Sequence, residues 1–127
     1  MNHVRISDAL RDLIFEPLLP LDDVLDKYYA PDYVHRSEGK ALGRKAFAEL
    51  VAQMRGTVTG GSVVVVNELR VGDTYAERHV YDLTTADGAR RRREVYVFGT
   101  FARDGRFQEL SETGISLTEP RSRTCHA

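Results

Sequence analysis

Apolar residues recur every three or four positions along the first half of the chain, and from residue 62 onward they alternate with polar ones. A period near 3.6 marks a helix with one buried face, and a period of two marks a half-buried strand, so the change predicts helices followed by a sheet. Leu10, Leu13 and Ile14 predict a first helix over residues 7–15, with Ser7 as its N-cap and Asp8 in its first turn. Pro17 and Pro20 then interrupt the chain. A second helix starts near Pro20 with Asp22 and Asp23 at the positive end of its dipole. Its stripe is Leu21, Val24, Leu25 and Tyr28, and Pro31 ends it. Residue 30 precedes that proline and is biased away from helix, so DYVHRS at 32–37 reads as a short extended piece. A third helix fits Arg44 to Met54, with Phe47, Leu50, Val51 and Met54 on one side and Gly56 and Gly60-Gly61 punctuating its end.

Four strands follow, over about 62–71, 74–84, 91–102 and 106–117, joined at Gly72-Asp73, Asp87-Gly88 and Asp104-Gly105. Asp-Gly dipeptides favour tight hairpins because both central residues need positive φ. The order predicts one α+β domain over 1–118, with three helices covering one face of a curved antiparallel sheet, and a flexible tail over 119–127.

If all three turns hold two residues, the register follows by counting. Tyr81 then faces Glu94, His79 faces Tyr96, Glu77 faces Phe98, and Glu68 faces Glu77 as a like-charge pair. Val66 faces His79 and Val64 faces Tyr81, while Phe98, Tyr96 and Glu94 face Ser111, Thr113 and Ile115. One side of the sheet gathers Tyr75, Glu77, His79, Tyr81 and Leu83 with Glu94, Tyr96, Phe98 and Glu109. Aromatic bodies with a few polar tips suit the wall of a small-molecule cavity. The other side gathers Val63, Val65, Leu69, Val95 and Val97, broken by Arg78, Asp82, Arg93 and Glu112, and suits a sheet-to-sheet dimer contact. There Asp82 faces Arg93 as a cross-strand ion pair.

Composition adds limits to this picture. With 127 residues, 42% hydrophobic and 29% charged, the chain reads as one soluble globular domain. A net charge of −1 gives no electrostatic reason to expect nucleic acid or an anionic membrane. The only dense basic run, Arg90 to Arg93, reads as a solvated hairpin end or as an anion or partner contact. The single cysteine, Cys125, excludes an internal disulfide and fits a reducing compartment. The N-terminus lacks the apolar core of a signal peptide, no stretch reaches bilayer length, and a cytoplasmic protein is expected. The histidines at 3, 35, 79 and 126 show no metal-ligand spacing, and no phosphate-binding glycine loop or serine nucleophile elbow occurs, so neither a metal nor a cofactor is expected.

The order helix, helix, YYAPDYVHR, helix, then a long sheet with DGRFQEL near its end resembles the nuclear transport factor 2-like superfamily, and within it the small bacterial SnoaL-like proteins. The resemblance implies a cone-shaped α+β barrel with a pocket between helices and concave sheet, commonly in homodimers paired through their sheets. Members include polyketide cyclases, dehydratases, epoxide hydrolases, steroid isomerases and binding proteins without catalysis, so the fold alone does not choose a function. In cyclase-like relatives a histidine after the second helix often points into the pocket, and His35 in APDYVHRSEG stands at that position. No aspartate matches the acid/base of such cyclases, and Glu94 and Glu109 are its nearest substitutes. The Asp–Arg–Asp set of an epoxide hydrolase is not evident either.

The candidate catalytic residues are therefore His79, His35 and Glu94. His79 is a general base or hydrogen-bond donor because an ordinary imidazole titrates near neutrality. Glu94 beside Tyr81 is a carboxylate suited to proton abstraction next to a carbonyl. Tyr33, Tyr81, Tyr96, Phe98, Glu77 and Glu109 are candidate substrate contacts. Two functions stay open: a cofactor-free cyclase, isomerase or dehydratase acting on a hydrophobic oxygenated molecule, and a ligand-binding or protein-interaction domain without chemistry.

Overall fold

The structure is a computed structural model and describes residues 3–118. The tail expected over 119–127, Cys125 included, lies outside the described residues. Three helices pack on a six-stranded mixed sheet that stays open, which is the expected α+β architecture; the extended piece expected at 32–37 is part of a strand of that sheet, and one further short strand joins it. The first helix, α1, spans Ile6–Leu10 and widens into a π-helical stretch over Arg11–Phe15. Ser7 is not its cap: Arg5 holds that place in extended conformation and Ser7 is buried in the first turn. Next come α2 over Leu21–Tyr28, β1 over Tyr29–Ser37, β2 over Lys40–Gly43 and α3 over Arg44–Thr57. The long strands are β3 over Val58–Val71, β4 over Thr74–Thr85, β5 over Arg90–Phe101 and β6 over Phe107–Ser116.

The strand order is β2-β1-β6-β5-β4-β3, with β1 running parallel to β6 and every other pair antiparallel. Pro31 lacks an amide hydrogen for the ladder, and the β1–β6 register shifts between Tyr29 and Val34, where it sits. The helices bury Leu13, Ile14, Phe15, Val24, Phe47 and Val51 against the concave side of the sheet. At the base of the core Phe101 and Phe107 stack at 5.5 Å, with Tyr75 edge-on to Phe101 at 5.3 Å.

Three hairpins decide which side chains enter that core. Gly72-Asp73 is the expected two-residue turn, with Gly72 at φ 60°, and Glu68 faces Glu77 as counted. An extra residue, Val66, then bulges from β3, so Val65 rather than Val66 faces His79 and Val63 rather than Val64 faces Tyr81. At Asp87-Gly88 the Thr85 amide donates to the Ala89 carbonyl at 2.9 Å, closing a three-residue loop with Gly88 at φ 86°. One residue more than counted moves β5 by one place: Tyr81 faces Arg93, His79 faces Val95 and Glu77 faces Val97. Asp104-Gly105 also closes a three-residue loop, but a shift at Thr100/Phe101 cancels the extra residue, so Phe98, Tyr96 and Glu94 face Ser111, Thr113 and Ile115 as counted.

This single-residue difference sorts the candidates. Tyr75, Glu77, His79, Tyr81 and Leu83 turn inward, while Glu94, Tyr96 and Phe98 turn to the convex face, the reverse of their expected side. Val63, Val95 and Val97, expected on the dimer face, join Phe101 and Leu110 in the core instead. Val64, Leu69, Val71, Phe98 and Ile115 lie exposed outside. Asp82 faces Arg92 rather than Arg93, at 3.9 Å.

Candidate functional site

Between the helices and the concave sheet lies a cavity of about 130 Å³. That is close to the roughly 150 Å³ engineered apolar cavity that admits benzene. Its roof comes from Leu13, Ile14 and Phe15 on the π-helical stretch and from Val51 and Met54 on α3. Its floor comes from the sheet, through Val95 and Leu110. One guanidinium holds the roof together: Arg55 of α3 donates to the carbonyls of Leu13 at 2.7 Å, Asp12 at 3.1 Å and Leu19 at 3.0 Å. Carbonyls at a helix end have no partner within the helix, and Arg55 supplies one. Gly61 lets Phe15 lie close to β3 and β4, since a Cβ there would stand 2.6 Å from both the Phe15 ring and the Asp82 carbonyl.

Two imidazoles line this cavity, each held from behind by its own strand. Alternation on β4 brings Glu77 beside His79, and Glu77 Oε1 meets His79 Nδ1 at 2.6 Å with both side chains almost wholly buried. A carboxylate oxygen accepts from the Nδ1–H, and the tautomer that makes this bond keeps its lone pair on Nε2. The other Glu77 oxygen lies 3.2 Å from the Tyr75 hydroxyl, which donates to Glu68 at 2.7 Å. Arg5 closes the chain on Glu68 at 2.8 Å. Burial works against the Glu68 charge, yet the bonds from Arg5 and Tyr75 outweigh it and hold this carboxyl below its usual range. The facing Glu68 and Glu77 thus share a tyrosine instead of confronting each other.

On β1, Tyr33 OH lies 2.7 Å from His35 Nδ1. Burial raises the tyrosine's pKa further from neutrality, and no other acceptor for its hydroxyl occurs among the described residues, so it donates to Nδ1. The neutral His35 ring then carries its proton on Nε2, which points to Glu112 Oε2 at 3.8 Å. Burial lowers the His35 pKa and Glu112 partly restores it. The two rings therefore carry opposite tautomers: His79 offers a lone pair and His35 an N–H.

Of the candidates, His79, His35 and Tyr81 line the cavity. Glu77 stands behind His79 as its partner rather than as a wall, and Tyr33 does the same for His35. Glu94 is not in the cavity: it binds Arg78 at 3.1 Å and Tyr96 at 2.8 Å on the convex face, because the three-residue turn reversed its side. Phe98 is exposed on that face, and Glu109 pairs with Arg36 at the surface. Counting assigned Arg93 and Glu112 to the other side, yet both line the cavity, and Arg93 binds Glu38 at 2.8 Å. Thr85 and Gly88 flanking Asp87 are the signal that could have found them, since glycine in third place suits a three-residue loop.

A family model described as the SnoaL-like domain matches residues 21–110. Among solved structures, a candidate isomerase from Rhodopseudomonas palustris is 18% identical with a TM-score of 0.72, over 87% of this chain and 86% of that one. A candidate SnoaL-like polyketide cyclase from Shewanella denitrificans is 13% identical with a TM-score of 0.69, over 84% and 85%. An NTF2-like protein of unknown function from an Exiguobacterium species is 16% identical with a TM-score of 0.67, over 86% and 95%. At these identities the likeness concerns the fold. No curated protein matches the chain. Among the described residues no helix is long and apolar enough to cross a membrane. The family match covers well over half the sequence and includes both cavity histidines: the chain belongs to the SnoaL-like domain family.

Proposed function

We propose that this domain binds a small, mostly apolar, oxygenated molecule in the cavity and catalyses a cofactor-free proton transfer on it, as an isomerase, cyclase or dehydratase. The observation that carries the reading is the Glu77–His79 pair, with its 2.6 Å bond on the buried side and its ring on the cavity wall. His79 Nε2 removes a proton from a carbon next to a carbonyl, and the Nδ1 proton stays on the ring, where Glu77 stabilises the imidazolium formed. His35 donates its Nε2–H to a substrate oxygen and so orients the molecule. The neighbouring polyketide cyclase and isomerase descriptions support this chemistry as a direction. Hydrogen–deuterium exchange at the α-carbon of a hydrophobic ketone, followed by NMR in D₂O, tests it. The wild type should accelerate exchange and His79→Ala should lose about 10²–10⁴-fold; an unchanged rate in that variant removes the assignment.

A second reading is a ligand-binding domain without chemistry. It is favoured by the mutual satisfaction of Tyr33 with His35 and of Glu77 with His79, which leaves the apolar walls to supply affinity. Binding of the ketone with no exchange above buffer would select it. We also propose that two copies pair through the convex faces, where Val64, Leu69, Val71 and Phe98 stand exposed on one continuous sheet. The cytoplasm remains the compartment we propose.

A further inference from the structure

The cavity continues past Tyr81. Met54, Tyr81 and Leu83 line it and also line an adjoining open groove of about 280 Å³, whose other side includes Gln53, Thr57 and Arg91. Arg91 reaches this place by the same alternation that buries Val95. It faces Leu83 across the ladder, as Arg93 faces Tyr81, so both guanidiniums belong to the concave side while Arg92 turns outward to Asp82. Arg93 is neutralised by Glu38 at 2.8 Å. Arg91 has no salt bridge among the described residues, and it is exposed at the rim of the groove. The mouth thus offers a guanidinium in no salt bridge among the described residues, where the interior is apolar.

We infer that the ligand is an amphipathic monocarboxylate, with an apolar body in the cavity and its carboxylate at the groove on Arg91. A planar guanidinium in no salt bridge matches a carboxylate through two parallel N–H···O bonds, and its exposed setting avoids the desolvation that a buried charge would suffer. The cavity volume matches one aromatic ring or a short branched chain, so the remainder of a longer molecule has to pass Tyr81 and Met54 into the groove. The hairpin end that carries four consecutive arginines thus acquires a division of labour: Arg91 alone among them is on the concave side and in no salt bridge among the described residues, the nearby Asp87 carboxylate accepting from Thr85 and the Ala89 amide. This inference rests on the cavity being a ligand site, and it assigns the chemical class of what enters.

Calorimetric titration with 4-phenylbutanoate and with 4-phenylbutan-1-ol at low ionic strength tests it. The acid should bind about tenfold more tightly than the alcohol, the scale of one charge-assisted hydrogen-bonded pair. Arg91→Gln should abolish that advantage and leave the alcohol's affinity unchanged, and Arg92→Gln, which removes the same charge from the other face, should preserve it. Equal affinities for acid and alcohol in the wild type, or equal losses in the two variants, would overturn the head-group assignment while leaving the cavity reading intact. Failure of both ligands to bind would overturn the two together.

Discussion

The two faces of the central sheet carry similar chemistry under opposite solvent conditions. Inside, Glu77 bonds to His79 and lies beside Tyr75, all three buried. Outside, Glu94 bonds to Arg78 and Tyr96 with the tyrosine exposed. Water reaches the outer bonds through Arg78 and Tyr96 and weakens them, so they contribute less; the inner ones have no substitute, and each group depends on the others. The lesson is that a residue's type says less about its role than the parity of its position along the strand.

Four measurements would break or sharpen that contrast. Glu77→Ala should lower the stability measured by urea unfolding by about 3 kcal/mol, because it strands a buried imidazole, whereas Glu94→Gln should cost under about 1 kcal/mol. Equal losses would remove the distinction between the faces. Neighbouring glycines offer a second comparison. A Cβ at Gly61 would press on Phe15 and the Asp82 carbonyl, while one at Gly60 meets nothing within 4 Å. Gly61→Ala should therefore cost about 1–3 kcal/mol in the same assay, and Gly60→Ala should stay within about 0.5 kcal/mol of wild type.

A smaller effect is expected from pH. Burial lowers the folded-state pKa of His35, with Tyr33 and Glu112 as its polar neighbours. The unfolded chain then takes up the proton first as pH falls through the ordinary value of 6.5, so the native state loses stability below that value and gains nothing above it. Thermal melts of His35→Gln should show a shallower loss than wild type on acidification; parallel curves would contradict the burial argument. The smallest change in stability is expected at the convex face. Phe98→Ser should leave the unfolding free energy of the monomer within about 0.5 kcal/mol, yet convert a sedimenting dimer to monomer. A wild type that sediments as a monomer at micromolar concentration would end the pairing proposal.

The fold was largely legible because its signals are local. The change of period near residue 62, the stripe of α2 and the glycine turns are all features of neighbouring residues. The short strand β2 escaped because KALG has no alternation to read, and its turn uses Glu38 at φ 52°, a position where a side chain gives little warning. The site was half legible. Tyr75, Glu77, His79 and Tyr81 share one strand, so their common face needs no register. Glu94, Arg93 and Glu112 are joined to it only through turns, and one extra residue at Asp87-Gly88 exchanged them. The same extra residue at Asp104-Gly105 did no harm because a bulge absorbed it, which no local rule reveals.

The bulge at Val66 has a consequence for how copies of this chain meet. β3 is the free edge of an open sheet, fourteen residues long, and carries Val64, Val66, Leu69 and Val71 exposed. A flat edge of that length would template the addition of another strand and growth of a fibre. Two residues crowded against one bend and coil the strand, so its unpaired amides do not form one straight row. Lateral growth at the rim is thereby disfavoured, and if copies pair as proposed, stacking of face on face is the arrangement that can close and stop.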